Sequence, residues 1–304
     1  MNASNANIKK MLNTILPMKE YSIMKKSIFL CAISNISSGS CIEDCGFCAQ
    51  SSRHHADIER YKYKPVEQIV FEAKNASSNG AIGFCLVTSG LGLDDKKLAF
   101  VCEAARAVKA EIPEFNLIAC NGIATVEQLK TLKTAGVDSY NHNLESTQNF
   151  YTKICTTHSW EDRYQTCLNV KEAGLSLCSG GIFGLGESKE ERTAFIQSVK
   201  SLKPDTMPLN FYIQNPALPL KATPLSEEEA LAIIAEVKAA LPNTRLMIAG
   251  GRETTFTSKE CDIFAVGADA IVIGDYLTTK GKLPAKDLEM IQRLGYEIAT
   301  TCHA

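Results

Sequence analysis

The strongest constraint on how this chain can fold is a rhythm: eight short β-rich runs alternate with segments of helical period. The runs lie at 27–34, 83–88, 116–121, 138–144, 175–183, 207–213, 245–249 and 270–274. Between them stand stretches such as "DKKLAFVCEAARAVKAEI", "TVEQLKTLKTAG" and "LSEEEALAIIAEVKAAL". Several of these follow Ser or Thr and run out near Gly, as helix capping favours. Strands that alternate with helices pair in parallel. Eight such units in 304 residues predict an α/β fold, a (β/α)8 TIM-type barrel formed as a single domain over 24–304, with a doubly wound open sheet as the rival.

The formal net charge is -2 and no apolar run reaches the roughly 18 residues of a spanning helix, so neither nucleic acid nor membrane is an expected partner. From Met24, "MKKSIFLCAISNISSGSC" imitates a lipoprotein leader, but its apolar part is short and its small-residue site poor. The preferred reading makes "SIFLCAIS" a buried first strand. Residues 1–23 are Asn-rich and read as an extension, either a tag or a disordered arm. Twelve cysteines spread over the whole length argue against a disulfide frame and for a reducing, cytoplasmic setting.

In a barrel, functional groups gather at the carboxyl ends of the strands. The unusual residues fall there. Directly after the first run comes "GSCIEDCGFCAQSSR", with Cys41, Cys45 and Cys48 in a C-x3-C-x2-C spacing. A structural zinc site normally takes four protein ligands in paired half-sites, and no second half-site exists. A [4Fe-4S] cluster held by three thiolates leaves one iron open for a small molecule.

That spacing, with Phe47 just before the last cysteine, resembles the radical S-adenosylmethionine superfamily. The ordered set "EDCGFCAQSSR", "YNHNLES", "CTTHSWEDR", "CSGGIFGLGE" and "AGGRE" resembles the biotin synthase family, from about residue 34 to about residue 295. The resemblance implies that Cys41, Cys45 and Cys48 hold the cluster and that S-adenosylmethionine completes it. It places Phe47, Thr88, Asn143, Glu145, Arg163 and Ile182 around that cofactor. It implies dethiobiotin as substrate, contacted by Asn141, Asn143, Asn210, Thr278 and Thr279, and sulfur insertion drawn from an auxiliary iron–sulfur cluster. No side chain is expected to act as a general base. An electron donor such as flavodoxin or ferredoxin and a homodimer complete the expected partners.

The auxiliary ligands carried over are Cys85, Cys120 and Cys178. Each also fits as a buried small side chain, but inward-pointing groups of barrel strands converge. The family's fourth ligand is an arginine; Met247 stands at that position here, with Arg245 two residues earlier on the same face but a layer lower, so the resemblance implies a [2Fe-2S] cluster or a variant and leaves the fourth ligand open. Glu145 occupies a place where aspartate is usual. Arg163 also reads as a surface ion-pair residue, and the strand-four asparagines as caps of the next helix. Cys31, Cys102, Cys155, Cys167, Cys261 and Cys302 carry no motif and read as packing or surface thiols. The rival functions are a sister radical enzyme of the same barrel group and a non-enzymatic zinc or iron–sulfur scaffold.

Overall fold

The computed structural model describes residues 26–302, so the expectation for 1–23 lies outside the described residues. The strands are β1 (Ser27–Ser37), β2 (Gly83–Thr88), β3 (Asn116–Cys120), β4 (Ser139–Asn141), β5 (Ser176–Cys178), β6 (Gly181–Phe183), β7 (Thr206–Phe211), β8 (Arg245–Ile248), β9 (Ala270–Val272) and β10 (Glu297–Ile298). Every pairing between these strands is parallel, and β1 closes the sheet on β9 through Phe29↔Ala270, Leu30↔Ile271 and Cys31↔Val272. Closure removes the open-sheet alternative. The segment with the leader-like composition is β1 itself, buried along most of its length.

β5 and β6 are one barrel stave with a gap. Cys178 faces Thr206 and Gly181 faces Leu209, so three residues advance on each side and the register survives. Pro208 lies opposite the gap and has no N–H to give the ladder. A side chain at Gly180 would drive into the Pro208 carbonyl, so only glycine lets the two backbones come this close. β10, which the sequence rhythm does not signal, is a two-residue addition beside the start of β1.

Helices cover the outside. Those at Trp160–Glu172, Lys189–Leu202 and Glu227–Ala240 begin with a serine capping box, from Ser159, Ser188 and Ser226. Their apolar faces pack on the outward strand residues, such as Leu86, Leu117, Tyr140, Leu177, Leu246 and Ile271, to make the main core.

The interior is built in layers. In an eight-stranded barrel each stave is displaced by about one residue relative to its neighbour, and alternate staves supply the side chains at one height. Applied to the registers here, this puts Cys31, Ile118, Cys178 and Met247 in one layer. Cys85 and Asn141 belong to the next layer towards the carboxyl ends, and Cys120 to the one beyond. The layers below hold small or polar groups, Gly83, Ser139 and Thr206 above Asn116, Ser176 and Arg245. Instead of branched hydrocarbon, these leave a cavity of about 550 Å³ opening at the amino-terminal end. Arg245 caps it, with its guanidinium 3.6 Å from the Phe29 ring and Nη2 donating to the Cys302 carbonyl at 2.9 Å.

Candidate active site

The cysteine loop follows β1 and folds back on itself. The Cys48 N–H donates to the Cys45 carbonyl at 3.0 Å, and the Ser52 N–H to the Cys41 carbonyl at 2.7 Å. Asp44 ties it to the 156–157 turn, accepting from the N–H groups of Thr156 and Thr157 at 2.9 and 3.2 Å and from both hydroxyls. Burial works against the Asp44 charge, but these donors outweigh it and hold the carboxyl well below its usual range. Gly46 is clamped on both sides, donating to Ile154 and accepting from Leu220.

Cys41, Cys45 and Cys48 are all partly exposed. The donor atoms that lie within 4.8 Å of one another among the described residues are instead those of Cys45, Cys155 and His158. In a cluster each thiolate holds its own iron, so a trio wider than a single-ion site suits a cluster better than zinc. The ligand set, three sulfurs on a solvent-reachable loop, fits.

Behind Cys45 stands a group that reads from sequence as mere packing. Cys155 Sγ is 3.6 Å from Cys45 Sγ and 3.3 Å from His158 Nδ1, which is 2.8 Å from Glu43 Oε2. Arg163 Nη1 and the Tyr151 hydroxyl both reach His158 Nε2, so that nitrogen accepts and the ring proton sits on Nδ1, facing Glu43. The hydrogen bond from Cys45, reinforced by His158, holds Cys155 as the thiolate of the pair, near a pKa of about 4. The signal for this group was "CTTHSW", where a thiol and an imidazole lie three residues apart.

Arg163 is an interior group rather than a surface one. Its Nε donates to the Asn143 carbonyl at 2.6 Å and its Nη2 to Glu145 Oε1 at 3.2 Å. Glu145 sits in a left-handed conformation, φ 64°, which costs a residue with a side chain about 1 kcal/mol or more. The bend lets the Ile182 N–H reach the Glu145 carbonyl at 3.0 Å, joining the end of strand four to β6. Burial raises the Glu145 carboxyl, with Arg163 opposing.

The asparagines divide by what they already hold. Asn143 Oδ1 accepts from the Gly180 N–H at 3.2 Å, and Asn210 bridges the Gly181 carbonyl and the Gly250 N–H at 3.1 and 2.9 Å. Asn141 Oδ1 is buried without a partner. An orphaned acceptor facing the barrel interior calls for a donor from a ligand. Thr88 Oγ1 accepts from Asn121 at 3.1 Å at the end of β2, while Phe47 and Ile182 pack in one apolar group with Tyr151 and Leu220. Thr278 and Thr279 line a separate cavity of about 500 Å³, with Asn35, Tyr61 and Lys64, on the β1 and β9 side.

Inside the barrel, burial pushes the Cys120 and Cys178 thiols up to about 12 and raises Cys31 and Cys85 as well. Cys31, Cys85, Val87 and Ile118 pack together, with Ile33, Cys120 and Met247 against them. Such a dry group of thiols accommodates a soft metal cluster. The inward direction of Cys31 has no sequence signal, because a strand buried on both faces gives no period to say which face is inward.

The arginine of "AGGRE" has an architectural role. Arg252 is fully buried, with Nη1 at 2.8 Å and Nη2 at 2.9 Å from the two Asp287 oxygens, Nη1 at 2.6 Å from Glu260 and Nη2 at 3.2 Å from the Val272 carbonyl.

Fold and cysteine loop together define a radical S-adenosylmethionine barrel, and residues 35–199 match the Radical SAM superfamily. Such an enzyme uses a [4Fe-4S] cluster and S-adenosylmethionine. Residues 208–297 match the Biotin and Thiamin Synthesis associated domain. The chain is 60% identical over 276 residues to a biotin synthase from a Nitratiruptor species, covering 91% of this chain and 99% of that protein. It is 58% identical over 279 residues to one from a Sulfurovum species, covering 91% and 98%. The chain belongs to the biotin synthase family. Among solved structures the fold is similar to methylornithine synthase, with a TM-score of 0.75, 16% identity and coverage of 90% of this chain and 84% of that one. It is also similar to the FeFe-hydrogenase maturase HydG of Carboxydothermus hydrogenoformans, with a TM-score of 0.76, 19% identity and coverage of 89% and 67%.

Proposed function

We propose that this chain converts dethiobiotin to biotin by radical insertion of sulfur between two saturated carbons. When bound, the [4Fe-4S] cluster and S-adenosylmethionine supply a carbon-centred radical that removes hydrogen, and an auxiliary cluster supplies the sulfur. Cys41, Cys45 and Cys48 would hold the first cluster at the barrel mouth, and Cys85, Cys120 and Cys178 the second inside it. Arg163, oriented by the Asn143 carbonyl and Glu145, presents a planar fork suited to the cofactor's carboxylate. Phe47, Thr88 and Ile182 would shape the rest of the cofactor pocket.

Dethiobiotin carries a neutral urea, whose N–H groups need acceptors. Asn141 Oδ1 is such an acceptor, and its lack of a partner is the observation that carries the reading. Asn143 and Asn210 keep the strand ends rigid around it and have lone pairs and protons to spare. The resemblance alone gives Thr278 and Thr279 the carboxylate tail of the substrate, since they line the separate cavity on the β1 and β9 side. Glu145, in its bent conformation, steers Arg163 and reaches towards the cofactor's ribose or amino group.

Among the described residues no helix is long and apolar enough to cross a membrane. We further assign the enzyme to the cytoplasm, with a flavodoxin or ferredoxin as electron donor and a homodimer as its assembly.

Anaerobic reconstitution with iron and sulfide, followed by dethiobiotin, S-adenosylmethionine and a reductant, tests the reading. Biotin together with 5′-deoxyadenosine is the expected result. Cofactor cleavage without biotin would make the chain a sister radical enzyme, and no cleavage would make it a scaffold. Arg163→Ala is expected to weaken cofactor binding by about tenfold to a hundredfold, the worth of a charged hydrogen bond.

A further inference from the structure

We infer that Cys31 is a fourth protein ligand of the auxiliary cluster. This rests on the proposal that Cys85, Cys120 and Cys178 hold that cluster.

The register carries the inference. Cys31 pairs with Gly83 on β2 and Val272 on β9, which places it level with Cys178 and Met247. Its side chain alternates inward with Ile33 and packs on Cys85 and Ile118, with Met247 against the same group. Four thiols thus occupy three successive layers of one interior, where branched hydrocarbon is the usual filling. Gly83 makes the space, since a Cβ there would stand 3.3 Å from Cys31 Sγ. Cys31 also lines the cavity below, with Cys178 and Met247, so its side chain borders open volume in which it can turn. Its one polar contact is a 3.7 Å approach to the Ala32 carbonyl, too weak to fix its direction.

Between the two sulfur side chains left at this height, the chemistry favours Cys31. A thiolate is anionic and binds iron far better than the neutral thioether of Met247. Binding requires only loss of the Cys31 proton as an Fe–S bond forms, with no change of oxidation state.

The test compares reconstituted wild type with Cys31→Ala, Cys31→Ser, Met247→Leu and Cys178→Ala, by iron and acid-labile sulfide per chain, Mössbauer spectra and the rate of iron loss to a ferrous chelator. Cys31→Ala is expected to lose the auxiliary iron at least about tenfold faster, with the mouth cluster unchanged, in line with losses seen when metal-site groups are removed. Cys31→Ser is expected to slow the loss and shift the auxiliary Mössbauer signal, since oxygen replaces sulfur on the iron. Met247→Leu is expected to match wild type. If Cys31→Ala keeps the wild-type spectrum and retention while Cys178→Ala loses the auxiliary signal, Cys31 is no ligand and the auxiliary cluster stands. Faster loss from Met247→Leu alone gives the ligand role to Met247. An unchanged Cys178→Ala spectrum overturns the auxiliary site and the inference together.

Discussion

Cys45 and Cys155 meet Sγ to Sγ at 3.6 Å although 110 residues of chain separate them. Two loops from different staves are therefore held in register at the barrel mouth, and the thiol of the cluster loop has a neighbour able to compete for it. In the cluster-free chain, oxidised glutathione is expected to join the two as a disulfide. Peptide mapping by mass spectrometry should find the Cys45–Cys155 pair, and Cys155→Ser should abolish it. After reconstitution the pair should not form, because Cys45 is then committed to iron. Equal cross-linking with and without the cluster would remove Cys45 from the ligand set.

Asp44 pins the same two loops, and its ionised form is the one that accepts all four hydrogen bonds. Its carboxyl is depressed in the folded chain, so this contribution is complete above the ordinary value of 3.8 and lost as pH falls below it towards the folded value. Asp44→Asn removes that dependence. Losing one hydrogen bond of about 1 kcal/mol opens the loop roughly fivefold more often, which should appear as faster iron release near neutral pH.

Replacing Asn141 with alanine separates binding from stability. The Asn141 oxygen has no partner in the folded chain, so its loss should leave the melting temperature unchanged or slightly higher. A missing acceptor for the urea should raise the KM for dethiobiotin by about tenfold, from roughly 1 to 1.5 kcal/mol of lost hydrogen bonding. A lower melting temperature with an unchanged KM would count against the assigned role.

Arg252→Met should be severe. It leaves Asp287 buried without its partner, and breaking such a pair costs about 3 to 5 kcal/mol. The urea midpoint measures the loss. The double variant Arg252→Met with Asp287→Leu should recover the part due to the fully buried Asp287, while Glu260 keeps Lys282 and Glu253 is left without the arginine.

The fold was legible because its period is local. Each strand position follows from short apolar runs between capped helices, and those signals need no tertiary knowledge. The gap between β5 and β6 was less accessible: Pro208 is visible in "TMPLN", but the stave it fails to bond emerges only from the topology. The inward direction of Cys31 was hidden for another reason, since "SIFLCAIS" is apolar on both faces and its alternation has no sign. Cys155, His158 and Glu43 come together through loops distant in sequence, and spacing alone does not report such meetings. Arg163 reads as a solvent-facing helix residue and is in fact half-buried against Glu145 and Asn143.

The closure of β1 on β9 also sets an order of manufacture. Cys31 leaves the ribosome long before its register partner Val272 and before Ile273, whose N–H donates to its carbonyl at 2.8 Å. Until that last stave docks, the inner side of the sheet stays open to water along one seam. The auxiliary cluster proposed for this interior would therefore be assembled only once that stave has docked.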